Sequence, residues 1–182
     1  MGPILCTRES ELKLTLVTSI YPGNAAPQMR AIASWLAVPG IEVISLNSAV
    51  ELPLLQREGY DPSVRFVEAH RDGREIVGKP VIQIYDAIAA GLASDAAMIG
   101  VINSDVMLRV SAKFVGRLWP RVEGGMVFGS RMDIPEADAR AGQVYYWGFD
   151  YFSWIEKSWD ASKMSPSSLA CPGGTTGCRS PS

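Results

Sequence analysis

The sequence predicts an α/β domain: a three-layer α/β/α sandwich built on a mostly parallel central sheet. Three observations carry this expectation. The run Ala96-Ala97-Met98-Ile99-Gly100-Val101-Ile102 is almost wholly apolar and bounded by polar residues, the pattern of a central parallel strand covered on both faces. Strand-like runs alternate along the chain with segments of helical periodicity, which points to parallel pairing through right-handed crossovers. Of the 182 residues 47% are hydrophobic, enough for one domain with a substantial core.

The elements follow in order. Residues 1–11 form a loose, polar lead-in. The first strand covers 12–20 and stops at the breaker Tyr21-Pro22-Gly23-Asn24. Asn24 is placed to cap a helix that tolerates Pro27 in its first turn. Met29, Ile32, Ala33 and Leu36 recur at helical spacing as its buried face. Pro39-Gly40 ends it, and 41–46 is the second strand. Ser48 and Glu51 have capping-box spacing for a short helix, limited by Pro53. Asp61-Pro62 turns the chain into a third strand, 64–69, and a polar loop runs from His70 to Arg74.

From Pro80, the positions of Val81, Ile84, Tyr85, Ile88, Ala89 and Leu92 predict an amphipathic helix leading into the fourth strand. Residues 111–119 read as a further helix with Phe114, Val115 and Leu118 inward, and 126–129 as a short fifth strand. Near Ser162 the composition turns to Ser, Pro, Gly, Thr and Cys, which cannot bury a core. Residues 161–182 are therefore expected to be a disordered tail, with the folded domain at 12–160.

Charge and cysteine usage narrow the function classes. The chain has 17 basic and 19 acidic side chains and no basic stripe, so nucleic acid is not an expected partner. No apolar stretch reaches membrane-spanning length and the N-terminus has no secretory pattern; the expectation is a cytoplasmic protein without a transmembrane segment. Cys6 reads as an ordinary thiol. Cys171 and Cys178 bracket a small loop in the tail, and with no Cys/His pair beside them they are a poor zinc site.

Asn103-Ser104-Asp105 directly follows the fourth strand. Open α/β sheets bind ligands beyond the carboxyl ends of their strands, and an acid there can hold a hard cation against a phosphate. The same residue types also turn a chain and cap a helix. Thr18, Ser19 and Tyr21 end the first strand and Asn47 ends the second, where a base or ribose would be met; each also suits a hydrogen-bonding turn. No Gly-x-Gly-x-x-Gly and no Lys-Ser/Thr phosphate loop follows the first strand, which argues against a dinucleotide site of that kind. His70, the single histidine, and Lys79 read as solvated side chains. In Tyr145-Tyr146-Trp147-Gly148-Phe149-Asp150-Tyr151-Phe152-Ser153-Trp154, aromatic faces flank one carboxylate. That suits either a core cluster or the binding of a sugar.

Together these features resemble the nucleotide-sugar glycosyltransferases of the GT-A fold, family-2-like members in particular, over about 12–154. The resemblance rests on Leu14-Thr15-Leu16-Val17-Thr18-Ser19-Ile20, on Gly100-Val101-Ile102-Asn103-Ser104-Asp105 and on Gly148-Phe149-Asp150-Tyr151-Phe152. In that family an Asp-x-Asp motif after the fourth strand binds Mn²⁺ or Mg²⁺ on the donor diphosphate; here an amide replaces the first acid. The resemblance implies a hexosyltransferase in which Asp105 is the metal ligand and Asn103 and Ser104 lie beside the donor. Asp150 would be the base toward a hydroxyl acceptor. Relatives usually continue well beyond Trp154. The alternative is therefore a non-catalytic relative that binds a nucleotide sugar or a partner, with self-association through the uncovered aromatic segment. Nucleotidyltransferases on the same sheet carry a Gly-rich, basic loop after the first strand, and Tyr21-Pro22-Gly23-Asn24 is not that loop.

Overall fold

The apolar runs become strands because each is covered from both sides. β1 (Leu14–Thr18) is buried at all five positions and β2 (Ile41–Asn47) at all but Glu42. β4 (Met98–Ile102) lies beside β1 in parallel register, Leu14 opposite Met98, and β3 (Val64–Glu68) lies beyond β2. With β5 (Val127–Asp133) and β6 (Gln143–Ile155) they form one six-stranded sheet in the order β3-β2-β1-β4-β6-β5. The first four strands are parallel, and β6 runs antiparallel between β4 and β5. This computed structural model describes residues 12–123, 125–136 and 138–155; the expected lead-in, the expected tail and all three cysteines lie outside them.

Helices cover both faces. On one side α1 (Ala25–Leu36), α2 (Leu52–Glu58) and α5 (Phe114–Val122) bury Trp35, Leu55 and Leu118 against Leu14, Leu16 and Met98. On the other, α4 (Ile84–Leu92) sets Ala87 and Ile88 on Val17, Ile44, Ile99 and Trp154. A short α3 (Arg74–Val77) precedes α4 in the long β3–β4 connection. The result is the three-layer sandwich that the alternation predicts, with β4 in its middle. Two glycines make close approaches possible. At Gly91 a Cβ would stand 2.3 Å from the Ile99 side chain, so only glycine lets α4 sit this near β4. Gly40 has φ +83° and a Cβ there would meet the Leu12 carbonyl oxygen at 2.6 Å; the tight turn into β2 needs glycine on both counts.

Several local expectations are corrected. The inner face of α1 is Gln28, Ala31, Ile32 and Trp35 rather than Met29, Ile32, Ala33 and Leu36. The face is rotated because a buried glutamine, read as polar and therefore outward, belongs to it. Asn24 precedes α1 but its side chain makes no capping bond. Glu51 does accept from the Ser48 amide at 3.0 Å, as the capping-box spacing suggests, although α2 begins after it. α4 starts at Ile84, and Val81, Ile84 and Tyr85 are exposed instead of packed on the sheet. The fifth strand is longer than expected, and the aromatic segment is itself a strand. Its end at Tyr151, Trp154 and Ile155 is core, while Tyr145 and Tyr146 are 43% and 71% exposed. Among the described residues, no helix is long and apolar enough to cross a membrane.

Candidate functional site

The chain runs outward from β1 to β2 and β3, then returns to place β4 on the other side of β1. This reversal opens a crevice at the carboxyl ends of β1 and β4, where open α/β sheets take their ligands. A cleft of about 500 Å³ lies there, with Thr18, Ser19 and Tyr21 on one side and Asn103, Ser104 and Asp105 on the other. Six of the residues singled out in the sequence thus meet in one place. A second cleft of about 900 Å³ adjoins it between α5, β5 and β6, lined among others by Asp150 and Tyr151. Asp105 belongs to the walls of both.

Gln28 fastens the smaller cleft together. It is 2% exposed, and its amide donates to the carbonyls of Tyr21 (2.7 Å) and Asn24 (2.8 Å). Its oxygen accepts from the Tyr21 amide (2.8 Å) and from the Ser104 hydroxyl (2.7 Å). One side chain therefore ties the loop after β1 to the Asn-Ser-Asp turn. Thr18 beside it is 4% exposed with an unpartnered hydroxyl among the described residues. Gln28→Ala leaves several of these groups unpaired. It is expected to cost about 1–3 kcal/mol in urea unfolding and to weaken any ligand held between Tyr21 and Ser104; unchanged values for both would refute the clamp.

Asp150 reaches the site through a bulge. Gly129 pairs with Tyr151 and Ser130 with Phe149, so Asp150 is the extra residue on β6, and such irregularities re-aim side chains. Asn103 donates from its backbone to the Asp150 carbonyl (3.0 Å) and from its side chain to Asp150 Oδ1. Arg131 Nη1 donates to Asp150 Oδ2 at 3.2 Å and Arg131 Nε to Asp133 Oδ1 at 2.8 Å. The charge of Asp150, and next that of Asp133, stabilises the Arg131 guanidinium in its protonated form. The same guanidinium lies 4.9 Å from the centre of the Tyr145 ring. Burial pushes the Tyr151 phenol up to about 12, so it stays neutral in the wall of the larger cleft.

Asn47 is not in either cleft. Fully buried, it accepts from Ser45 (2.6 Å) and donates to the Ile20 carbonyl (2.7 Å), which spends its amide on holding the chain beyond β1. His70 and Lys79 are exposed and line neither cleft. The sequence reading missed Gln28 and Arg131. A polar residue in register with Ile32 and Trp35 on α1 was a signal for the first; nothing local marks the second. Among the described residues, no three His, Cys, Asp or Glu side chains gather into a metal-binding group.

No protein-family model matches the chain, and no curated protein matches it. Among solved structures, a 4-diphosphocytidyl-2C-methyl-D-erythritol synthase from Anaerococcus prevotii is similar, with a TM-score of 0.51 over 82% of this chain and 72% of that one. The two chains share an α/β fold, a mostly parallel sheet with helices on both faces. At 11% identity the likeness extends to the fold alone, and it agrees with the sheet expected from the sequence.

Proposed function

We propose that the chain is a glycosyltransferase that moves a sugar from a nucleoside diphosphate donor to a hydroxyl acceptor. The supporting observation is that two clefts meet at Asp105, one at the β1–β4 crevice and the other beside Asp150. The donor lies in the smaller cleft, its base and ribose against Thr18, Ser19 and Tyr21 and its diphosphate toward Asn103, Ser104 and Asp105. The acceptor lies in the larger one. Its hydroxyl proton passes to Asp150, the new oxygen–carbon bond forms at the sugar, and the bond to the diphosphate breaks with its electron pair on the nucleoside diphosphate.

One carboxylate at the mouth, Asp105, suits Mn²⁺ or Mg²⁺ of the kind held mainly by substrate phosphates and water. Such an ion would neutralise charge developing on the leaving diphosphate. The solved neighbour is named for making a diphosphocytidyl compound, which raises nucleotidyl transfer as another chemistry. The loop Tyr21-Pro22-Gly23-Asn24 brings no basic side chain to the phosphates, and this favours glycosyl transfer. A binding role without catalysis has one observation of its own: both Asp150 oxygens already accept hydrogen bonds, from Asn103 and Arg131.

A thermal-shift panel of nucleoside diphosphates and their sugars, with and without Mn²⁺, tests the proposal. A ligand at one hundred times its dissociation constant adds about 2.7 kcal/mol, roughly 5–10 °C for a chain of this size. A cognate donor is expected to give that shift and to be turned over once the acceptor is present. Shift without turnover supports the binding role, and no shift with any nucleotide overturns the site.

A further inference from the structure

We propose that β5 is a dimerisation edge: two copies of the chain join antiparallel through it, about a two-fold axis at Ser130, into one continuous sheet. Among the described residues β5 is the last strand, with β6 on one side and no strand on the other. Native proteins ordinarily protect such an edge with lysine, proline, a bulge or a very short strand. β5 uses none of these. Its seven residues include no lysine and no proline. Each has its own partner on β6, so the extra residues at both irregularities belong to β6 and β5 runs unbroken.

The strand is complementary to itself. Ser130 is its middle residue, so an axis there brings all seven positions opposite the second copy. Phe128 then opposes Met132 of the second copy, and Met132 opposes its Phe128. Both side chains are exposed in the single chain, at 56% and 49%, and cross-strand pairs of this kind are what stabilise a sheet. Met126 and Ile134 continue the alternation one step past each end and oppose each other as well. On the other face Arg131 meets Gly129 of the second copy, which leaves room for the guanidinium. Its charge is already balanced by Asp133 and Asp150. Moving the axis by one residue shortens the overlap and sets Phe128 or Met132 against Ser130. The register of greatest overlap is thus also the one that covers both apolar side chains.

Sedimentation velocity of the full chain, from about 1 to about 100 μM, spans the affinities of modest protein contacts. It is expected to show monomer passing to dimer and nothing larger, since a two-fold contact closes on itself. The double variant Phe128→Lys/Met132→Lys is expected to dimerise at least about tenfold more weakly with unchanged circular dichroism, because each lysine acts twice in the dimer. Two further variants test the axis, in a background with Cys6, Cys171 and Cys178 replaced by serine. Under mild oxidation Ser130→Cys is expected to give a covalent dimer, because directly opposed Cα atoms lie about 4.5–5.5 Å apart, within disulfide reach. Met132→Cys is expected not to, its two copies being displaced by about 14 Å along the strands. Three results overturn the proposal: a chain still monomeric at about 100 μM, a dimer unaffected by the two lysines, or cross-linking of Ser130→Cys no greater than that of Met132→Cys.

Discussion

Replacing Trp35 with alanine is expected to lower the unfolding free energy by about 3–5 kcal/mol, the usual cost of emptying a buried aromatic position. Trp35 is fully buried between α1 and the sheet, and its indole donates to the Val106 carbonyl at 2.7 Å. The truncation therefore opens a cavity and orphans an acceptor in the loop that follows Asp105. Domains are typically stable by only about 5–15 kcal/mol, so this variant is expected to lose a large share of its stability. Trp35→Phe separates the two contributions. It keeps most of the packing and loses a hydrogen bond worth about 1 kcal/mol, and it is expected to disturb ligand binding more than its modest stability loss suggests. Urea unfolding measures the stability of both variants and the nucleotide thermal shift measures binding by Trp35→Phe; a loss below about 1 kcal/mol for Trp35→Ala would show that the neighbours collapse into the space.

The second large effect is on binding. Asp105→Ala is expected to abolish the part of nucleotide stabilisation that depends on Mn²⁺, up to about 2.7 kcal/mol at one hundred times the dissociation constant. Its own stability should change by no more than about 0.5 kcal/mol, because Asp105 is an exposed carboxylate with no packing role. Thermal shifts of the variant with nucleotide, with and without the ion, are the measurement. If the Mn²⁺-dependent increment survives, the cation is held elsewhere or by the substrate alone, and Asp105 loses its proposed role.

What the sequence made legible follows from how locally each feature is encoded. β1, β2 and β4 are buried on both faces, so they stand out as continuous apolar runs. Their carboxyl ends then locate Thr18, Ser19, Tyr21 and Asn103-Ser104-Asp105. The face of α1 was misplaced because Gln28 is buried for its four hydrogen bonds, and hydrophobic periodicity carries no sign of such a demand. The aromatic segment was unreadable as a strand because its two ends have different surroundings. One is packed between β4 and β5, and the other extends along β5 alone. The partnership of Arg131 with Asp150 depends on a bulge, and that of Trp35 with Val106 joins residues 71 apart; no short window contains either.

The position of β6 has a consequence for the order of assembly. As the chain is synthesised, β1, β2, β3 and β4 can pair with one another as soon as Ile102 has emerged, and α1 and α4 can cover them. β4 then still has an open edge, a row of backbone groups from Met98 to Ile102 able to recruit any passing strand. That hazard lasts until Tyr151 to Ile155 have emerged and inserted. The same insertion brings Asp150 against Asn103 and Arg131. The nascent chain therefore loses its stickiest edge in the step that first gives it a finished site.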